Sequence, residues 1–257
     1  MQNKKYDAPA ADAVLELLEF MVENQTPQGP TELSRKLKRT PNMTFRILNV
    51  LAEKGYVEKN SAGNYSLTTA LFALGMKLQH KFDLRTQARP FLEELANETQ
   101  QSVQLQIPDG DRMLQFDFVA PKTPFYIVIA SGSRVYWHCN AFGRAVLAFL
   151  PPEKQKELLS LPMPQLNIHT ITDKKLLKDE LEKVRKSYSS AEFEEYLVGN
   201  YCVASPVFNG VNEVVAAVGI TGLTSGLHPE YLPELRQKVL ICANKVSQAI
   251  GFKEVYP

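Results

Sequence analysis

The fold of this chain is decided by the stretch Thr40-Pro41-Asn42-Met43-Thr44-Phe45-Arg46-Ile47-Leu48-Asn49-Val50-Leu51-Ala52-Glu53-Lys54-Gly55. Thr40 followed by Pro41 is a strong start signal for a helix. A threonine side chain caps the free first-turn amides, and the missing N–H of proline costs nothing at that position. Gly55 accommodates the left-handed conformation that ends helices. The stretch therefore predicts a helix from Thr40 to Lys54.

This helix has two faces of different chemistry. Residues at positions i, i+3, i+4 and i+7 form an apolar core side: Thr44, Ile47, Leu48 and Leu51. The same spacing on another face collects Asn42, Phe45, Arg46 and Asn49. Asparagine and arginine bind the edges of adenine and guanine in a bidentate manner, and phenylalanine can pack on a thymine methyl group. The pattern favours a DNA-reading helix. The alternative is that Phe45 packs on a neighbouring element and Arg46 forms a surface ion pair.

The elements around this helix complete a small domain. Apolar residues at helical spacing predict an amphipathic helix over residues 10–24, and a short helix follows over residues 31–38 with Thr31 as its N-cap. After Gly55, two strand-like runs at residues 56–59 and 65–67 flank a turn rich in asparagine and glycine. Three helices and a hairpin predict a winged helix-turn-helix domain over residues 1–68.

The charge distribution agrees with a site for a polyanion. The 257 residues carry 29 basic and 28 acidic side chains, but residues 31–60 alone carry a net charge of +4. The predicted phosphate contacts are Lys36, Lys38, Arg39 and Lys59, and Thr40 completes the predicted DNA-binding set. A merely solvated basic face is the alternative.

The composition excludes several classes of protein. Hydrophobic residues make up 44% and charged residues 22%, as in ordinary globular domains. No stretch has the length and apolarity of a membrane span, and residues 1–7 lack the apolar core of a signal peptide, so we expect a cytoplasmic protein. Three widely spaced cysteines (Cys139, Cys202 and Cys242) form neither a disulfide framework nor a zinc motif. We expect no metal ion and no cofactor.

The rest of the chain predicts a connector and a second domain. Residues 69–82 read as a linker helix that is apolar on more than one side, and hence packed between domains or subunits. Residues 83–257 alternate helices with strands, which predicts an α+β domain whose helices pack on a central sheet. The predicted helices cover residues 86–99, 141–149, 173–188 and 229–252, and a turn is predicted at residues 108–110. The predicted strands cover residues 103–107, 114–118, 126–129, 201–207 and 214–221.

Three stretches of this second domain resemble the isocitrate lyase regulator (IclR) family. They are Asn140-Ala141-Phe142-Gly143-Arg144-Ala145-Val146-Leu147-Ala148, then Glu194-Glu195-Tyr196-Leu197-Val198-Gly199-Asn200-Tyr201-Cys202-Val203-Ala204-Ser205-Pro206-Val207-Phe208, and Val215 to Gly222. With Arg46 and Gly55-Tyr56-Val57, the resemblance covers essentially the whole chain. It implies a transcriptional regulator that forms homodimers or homotetramers and binds a roughly palindromic operator in double-stranded DNA. It also implies a GAF-like α/β effector-binding domain.

The resemblance also implies an effector site. The family's loop at a helix start maps to Ala141 and Phe142, whose backbone N–H groups would hold an anionic group. The family's other pocket positions map to Glu192, Cys202, Gly219 and Thr221. Phe142 replaces a small residue, Glu192 is one carbon longer than the usual aspartate, and Gly219 loses a hydroxyl. The implied effector is a small organic acid or an aromatic acid, unless Phe142 closes the pocket.

Other interpretations of the same residues remain open. Cys202 could be a buried hydrophobic residue, Glu192 could belong to a solvated acidic turn, and Thr221 is favoured in any strand. A cysteine-dependent enzyme would use Cys202 as nucleophile with His138 or His169 as base, but only the residue types support it. The sequence has no glycine-rich nucleotide motif and no Gly-x-Ser-x-Gly. A winged helix can also serve as a protein-interaction module.

Overall fold

Three helices and a hairpin make up most of the amino-terminal unit. A computed structural model describes residues 8–79 and 83–256 of the chain, which divides into units at Met1–Phe82 and Asp83–Pro257. The elements of the first unit are α1 (Pro9–Glu23), α2 (Pro30–Lys36), α3 (Pro41–Glu53), β1 (Val57–Lys59), β2 (Tyr65–Leu67) and α4 (Ala70–Gln79). The two strands pair antiparallel. This is the winged helix-turn-helix architecture that the sequence predicts.

The ends of α3 follow the local chemistry. The Thr40 side chain accepts a hydrogen bond from the Met43 amide at 3.4 Å, and Pro41 occupies the first turn. Gly55 has a φ of +76°, which confirms the predicted left-handed stop. The prediction of Thr31 as the N-cap of α2 is wrong. That helix begins at Pro30 behind an extended Gly29, because proline is preorganised for the first helical position.

The core of this unit contains the predicted inner face of α3. Its buried apolar side chains come from all three helices and from the hairpin: Ala13, Leu17, Met21, Leu33, Ile47, Leu48, Leu51, Val57 and Tyr65. Thr44 is buried beside them. On α4, Phe72, Leu74 and Met76 are exposed. Residues 80–82 of the predicted linker helix lie outside the described residues, and its packing between domains or subunits stays a prediction.

The second unit is an antiparallel sheet with helices. Its elements are α5 (Asp83–Thr99), β3 (Ser102–Asp109), β4 (Arg112–Val119), β5 (Arg134–Val135), α6 (Ala141–Leu147), α7 (Pro152–Ser160), α8 (Lys174–Ser187), β6 (Ser190–Phe193), β7 (Asn200–Phe208), β8 (Val214–Leu223) and α9 (Leu232–Ala249). The six strands have the order β5-β4-β3-β8-β7-β6. Helix α9 packs on β7 and β8, α5 on β3 and β4, and α6 on β6, β7 and β8. Every residue of β7 is buried, so both faces of the sheet are covered.

The structure corrects several boundaries. The strand predicted at residues 126–129 is wrong, because residues 124–130 form no strand and Phe125 and Val128 are exposed. Pro121 and Pro124 remove backbone donors just before this segment. The segment is held instead by the Ser102 hydroxyl, which donates to the carbonyl oxygen of Ile127 at 2.7 Å.

Other differences concern element ends and omissions. Strand β3 continues through Asp109, so the predicted turn at residues 108–110 begins only at Gly110, where φ is +61°. The short elements α7 and β6 have no counterpart in the sequence prediction.

Over residues 8–79 and 83–256, no helix is long and apolar enough to cross a membrane. In that same part of the chain, no cluster of three His, Cys, Asp or Glu side chains could hold a metal ion.

Candidate functional site

The outer face of α3 is open to solvent. Asn42, Phe45, Arg46 and Asn49 are all exposed, and Phe45 keeps 47% of its surface accessible. Within the described residues, Arg46 forms no ion pair and no side-chain hydrogen bond. The alternative interpretation requires an ion pair for Arg46 and a covered Phe45. The described residues show neither. This face offers amide, guanidinium and aromatic groups together.

The basic residues near this face fall into two groups. Lys38 is exposed in the turn between α2 and α3 with a φ of +52°, and Lys59 is exposed on the hairpin. Lys36 and Arg39 already have acidic partners. Lys36 Nζ lies 3.0 Å from Glu32 Oε1. Arg39 donates from Nε and Nη2 to Glu16 Oε2 at 3.0 Å and 2.7 Å.

Three of the predicted effector residues line up across the sheet. Glu192 on β6 is directly opposite Cys202 on β7, which is opposite Thr221 on β8. Partners in antiparallel strands project to the same face. Cys202 Sγ lies 3.2 Å from Thr221 Oγ1. The structure therefore brings these three side chains together. The alternative in which Glu192 belongs to a solvated acidic turn is wrong.

Glu192 is a buried carboxyl group with one unused oxygen. Its side chain is almost fully inaccessible, and Oε2 accepts a hydrogen bond from the Glu195 amide at 2.9 Å. Its Oε1 is buried and forms no hydrogen bond of normal geometry, and an interaction with the Cys202 thiol favours the charged form. Burial raises the pKa of Glu192 to about 7, because desolvation disfavours the charged form.

The cysteine of this row lacks the environment of a nucleophile. Burial raises the pKa of the Cys202 thiol well above its ordinary value. Of the two candidate bases, His138 is buried with Nε2 3.1 Å from the Pro164 carbonyl oxygen. His169 is exposed, with Nε2 3.5 Å from Glu194 Oε2. Neither arrangement activates Cys202 as catalysis would require.

The remaining predicted effector residues belong to the packed interior. Ala141 and Phe142 begin the seven-residue helix α6 and lie in the apolar core of the unit. Phe142 is 1% exposed, so its ring is part of this core. Gly219 lies opposite Ala204. A Cβ atom at Gly219 would lie 2.2 Å from the Val203 carbonyl oxygen, so the approach of the strands requires glycine there.

Sequence reasoning missed several polar groups on the same side of the sheet. Arg144 of α6 is fully buried, donates from Nε to the His138 carbonyl oxygen at 2.8 Å and forms an ion pair with Glu195. Gln104 Nε2 donates to Thr221 Oγ1 at 2.7 Å. A charged residue inside the quoted α6 stretch was the available signal for Arg144. Alternation of Gln104 with Val103 and Leu105 normally indicates a strand whose polar face is open to solvent. In this structure that face of the strand is buried.

The fold and these two sites define a class: a helix-turn-helix transcriptional regulator with a ligand-binding domain. Comparison with family models gives the family. Residues 10–61 match the IclR helix-turn-helix domain, and residues 76–248 match the carboxy-terminal domain of the bacterial transcriptional regulator IclR. The chain belongs to the IclR family of transcriptional regulators.

Individual relatives agree with this assignment. The chain is 30% identical over 216 residues to the HTH-type transcriptional regulator KipR of Bacillus subtilis, covering 80% of this chain and 83% of KipR. The crystal structure of Thermotoga maritima IclR has a TM-score of 0.79 and 28% identity, covering 94% of this chain and 98% of that one. An IclR homolog from Microbacterium hydrocarbonoxydans, complexed with 4-hydroxybenzoate, shares the fold at a TM-score of 0.82 and 19% identity, covering 94% and 98% of the two chains.

Proposed function

We propose that this regulator binds a roughly palindromic operator as a homodimer or homotetramer and changes its DNA affinity when a small effector binds the second unit. The proposed division is a DNA-binding domain at residues 1–68, a linker helix at 69–82 and an effector domain at 83–257. The observation that carries the proposal is the exposed face of α3, on which Arg46 has no partner among the described residues. Two-fold symmetry of the protein favours a two-fold symmetric operator.

The DNA contacts follow from exposure and charge. Base edges would be read in the major groove by Asn42, Phe45, Arg46 and Asn49. Lys38 and Lys59 have no acidic partner among the described residues and can bind phosphate, whereas Lys36 and Arg39 would first exchange their glutamate partners for phosphate. The Thr40 hydroxyl caps α3 and orients its first turn toward the duplex. Because the protein acts on DNA, we place it in the cytoplasm.

The effector site lies in the second unit on the face that carries Glu192, Cys202 and Thr221. Ala141 and Phe142 would contribute at the start of α6, and Gly219 only through its backbone. The proposed effector is a small organic or aromatic acid. The 4-hydroxybenzoate bound to the Microbacterium homolog supports the aromatic alternative. An effector shifts DNA affinity only by as much as its affinities for the two conformations differ. The names of the relatives and the inactive environment of Cys202 disfavour the cysteine-dependent enzyme.

The decisive experiment is selection of bound sequences from a random pool of duplex DNA by the full chain. We expect an inverted repeat to be enriched, with binding that weakens steeply as salt is raised. Repeating the selection with a panel of organic and aromatic acids should release or strengthen binding for at least one compound. Failure to enrich any sequence, together with salt-insensitive capture of a protein, would favour the interaction-module alternative.

A further inference from the structure

The β4–β5 segment, residues 124–130, has the sequence of a strand but no partner strand. Phe125-Tyr126-Ile127-Val128-Ile129 consists of aromatic and β-branched residues, the composition that favours strands. Residues 125–130 nevertheless form no helix, strand, turn or bend. Among the described residues, no backbone carbonyl accepts a hydrogen bond from the N–H groups of residues 125–129. The segment therefore has the backbone groups of a strand without the pairing of one.

One contact shows which edge of this segment faces the protein. The Ser102 hydroxyl at the start of β3 donates to the Ile127 carbonyl oxygen at 2.7 Å, so this carbonyl group points toward the sheet. In an extended chain, the backbone groups of consecutive residues point to opposite edges. The N–H and C=O groups of Tyr126 and Val128 therefore point away from β3.

The side chains of the same two residues are also accessible. Tyr126 is 45% exposed and Val128 is 59% exposed, and Ala130 after them is exposed as well. Ile127 and Ile129 alternate with them and are partly buried. This alternation is the period of two that a strand has. The β4–β5 segment thus has one covered face and one open face, as an edge strand has.

This edge lacks the charges that keep exposed strands apart. Natural proteins protect such edges with charged side chains, with prolines or with a covering element. No residue from Thr123 to Ser133 is charged. Pro121 and Pro124 precede the open backbone groups and do not lie among them. An uncharged run of strand-forming residues with a free edge is a surface to which another strand can add.

A second copy of the same segment fits this edge. In an antiparallel pair centred on Ile127, Tyr126 of each copy lies opposite Val128 of the other. Residues that are opposite each other in this way can exchange both of their N–H···O bonds. An aromatic residue opposite a β-branched residue is a favourable cross-strand pair. The segment is therefore complementary to itself, as an interface with two-fold symmetry requires.

We propose that the β4–β5 segment forms an antiparallel strand pair with the same segment of a second copy of this chain. The pair joins the second units of two chains. This inference rests on the proposed homodimer or homotetramer and names one of its contact surfaces. It provides partners for the backbone groups of Tyr126 and Val128, and it uses no residue of the first unit.

Charge reversal across the proposed axis tests the pairing. Y126K/V128K places like charges directly opposite each other in both cross-strand pairs, and Y126E/V128E does the same with negative charge. The full chain is measured by sedimentation velocity at micromolar concentrations. We expect the wild type to sediment as a dimer or tetramer and each double variant at about half that mass. An equimolar mixture of the two variants should regain the wild-type mass, because each lysine then lies opposite a glutamate.

I168K/V211K is the matched control. Ile168 and Val211 are exposed apolar residues of the same unit, at 85% and 72%, and lie outside the β4–β5 segment. The control adds the same two charges and should keep the wild-type mass. Four results would each overturn the inference: a monomeric wild type, double variants that keep the wild-type mass, a control that dissociates as they do, or a mixture that stays dissociated.

Hydrogen exchange tests the wild-type chain without any substitution. The amides of Tyr126 and Val128 have no backbone acceptor among the described residues, so protection of these amides requires a second chain. Mass spectrometry with fragmentation to single residues should show exchange at least about tenfold slower than for a free amide. Exchange of both amides at the free rate would contradict the strand pair.

The outcome is separable from the proposed function. Selection of operator sequences depends on the exposed face of α3, which the strand pair does not use. If the wild type enriches an operator but the pairing tests fail, the regulator stands and this contact is lost. If no sequence is enriched but the mixture regains the wild-type mass, the contact stands and the DNA-binding function fails.

Discussion

Arg39 lies against Glu16, and both its Nε and its Nη2 donate to the same carboxylate oxygen, at 3.0 Å and 2.7 Å. Arg39 is one of the residues that the sequence predicts to bind phosphate. The ion pair joins the segment before α3 to α1. A cation held in this way must lose its glutamate partner before it can bind DNA directly, so the pair opposes non-specific affinity.

Glu16→Gln should therefore strengthen binding to random DNA. A freed Arg39 adds one phosphate contact, so the slope of log K against log salt should become steeper by about 0.9. Stability should change by less than about 1 kcal/mol, because the pair is exposed. Fluorescence anisotropy at several salt concentrations provides the measurement. Glu19→Gln removes the same charge from the same helix and should leave the slope unchanged.

Arg46→Ala should weaken specific binding by about 1–3 kcal/mol and spare thermal stability, because the side chain is exposed and unpaired among the described residues. The comparison is the affinity for the selected operator against that for random DNA. Lys59→Ala should weaken both to the same degree. If the Arg46 variant lost the same binding free energy on the operator and on random DNA, Arg46 would contact phosphate and not a base.

Phe142→Ala should destabilise the second unit by about 3–5 kcal/mol, because a buried aromatic side chain is removed from the core. Unfolding in urea can be followed through Trp137, the only tryptophan of the chain, which lies in the same core. Phe125→Ala, at a ring that is 86% exposed, should change the stability by less than about 0.5 kcal/mol. If the core variant retains full stability, the Phe142 ring does not contribute to the core as its burial implies.

Glu192 should make the second unit less stable as pH rises from about 4.5 to 7. The pKa is near 4.5 in an unfolded chain and about 7 in the folded one, so the folded state holds an extra proton across this window. That stabilisation is complete below the window and is lost above it, with a magnitude on the order of 3 kcal/mol. E192Q should flatten the profile in urea unfolding at pH 5 and pH 8. Glu182→Gln, an exposed change on α8, should retain the slope.

The buried pair of Arg144 and Glu195 should behave as a unit. Replacement of either partner, as in Arg144→Met or Glu195→Gln, should cost about 3–5 kcal/mol, because a buried charge or its hydrogen bonds lose their partner. The double variant should cost clearly less than the two single effects combined. Additive losses in a double-mutant cycle would show that the two side chains are not energetically coupled.

Local chemistry explains which parts of the structure were predictable. The cap at Thr40, the proline after it and the glycine at position 55 specify α3 without any knowledge of its neighbours. The core face of that helix follows from spacing alone. The segment 126–129 has strand-forming side chains, but a strand also needs a partner edge, and that information is not local.

The polar site shows the same limit. Alternating Gln104 and Gln106 on β3 indicate a solvent-facing side, and only tertiary packing makes that side interior. The row of Glu192, Cys202 and Thr221 joins three strands through register. Family resemblance brought these residues together, whereas no spacing in the sequence does so.

Gly219 constrains how this regulator can change over evolution. A side chain there would collide with the backbone of the neighbouring strand, 2.2 Å from a carbonyl oxygen. Any residue with a side chain at that position would have to separate two central strands. Mutagenesis libraries aimed at altered ligand response should therefore keep Gly219 fixed.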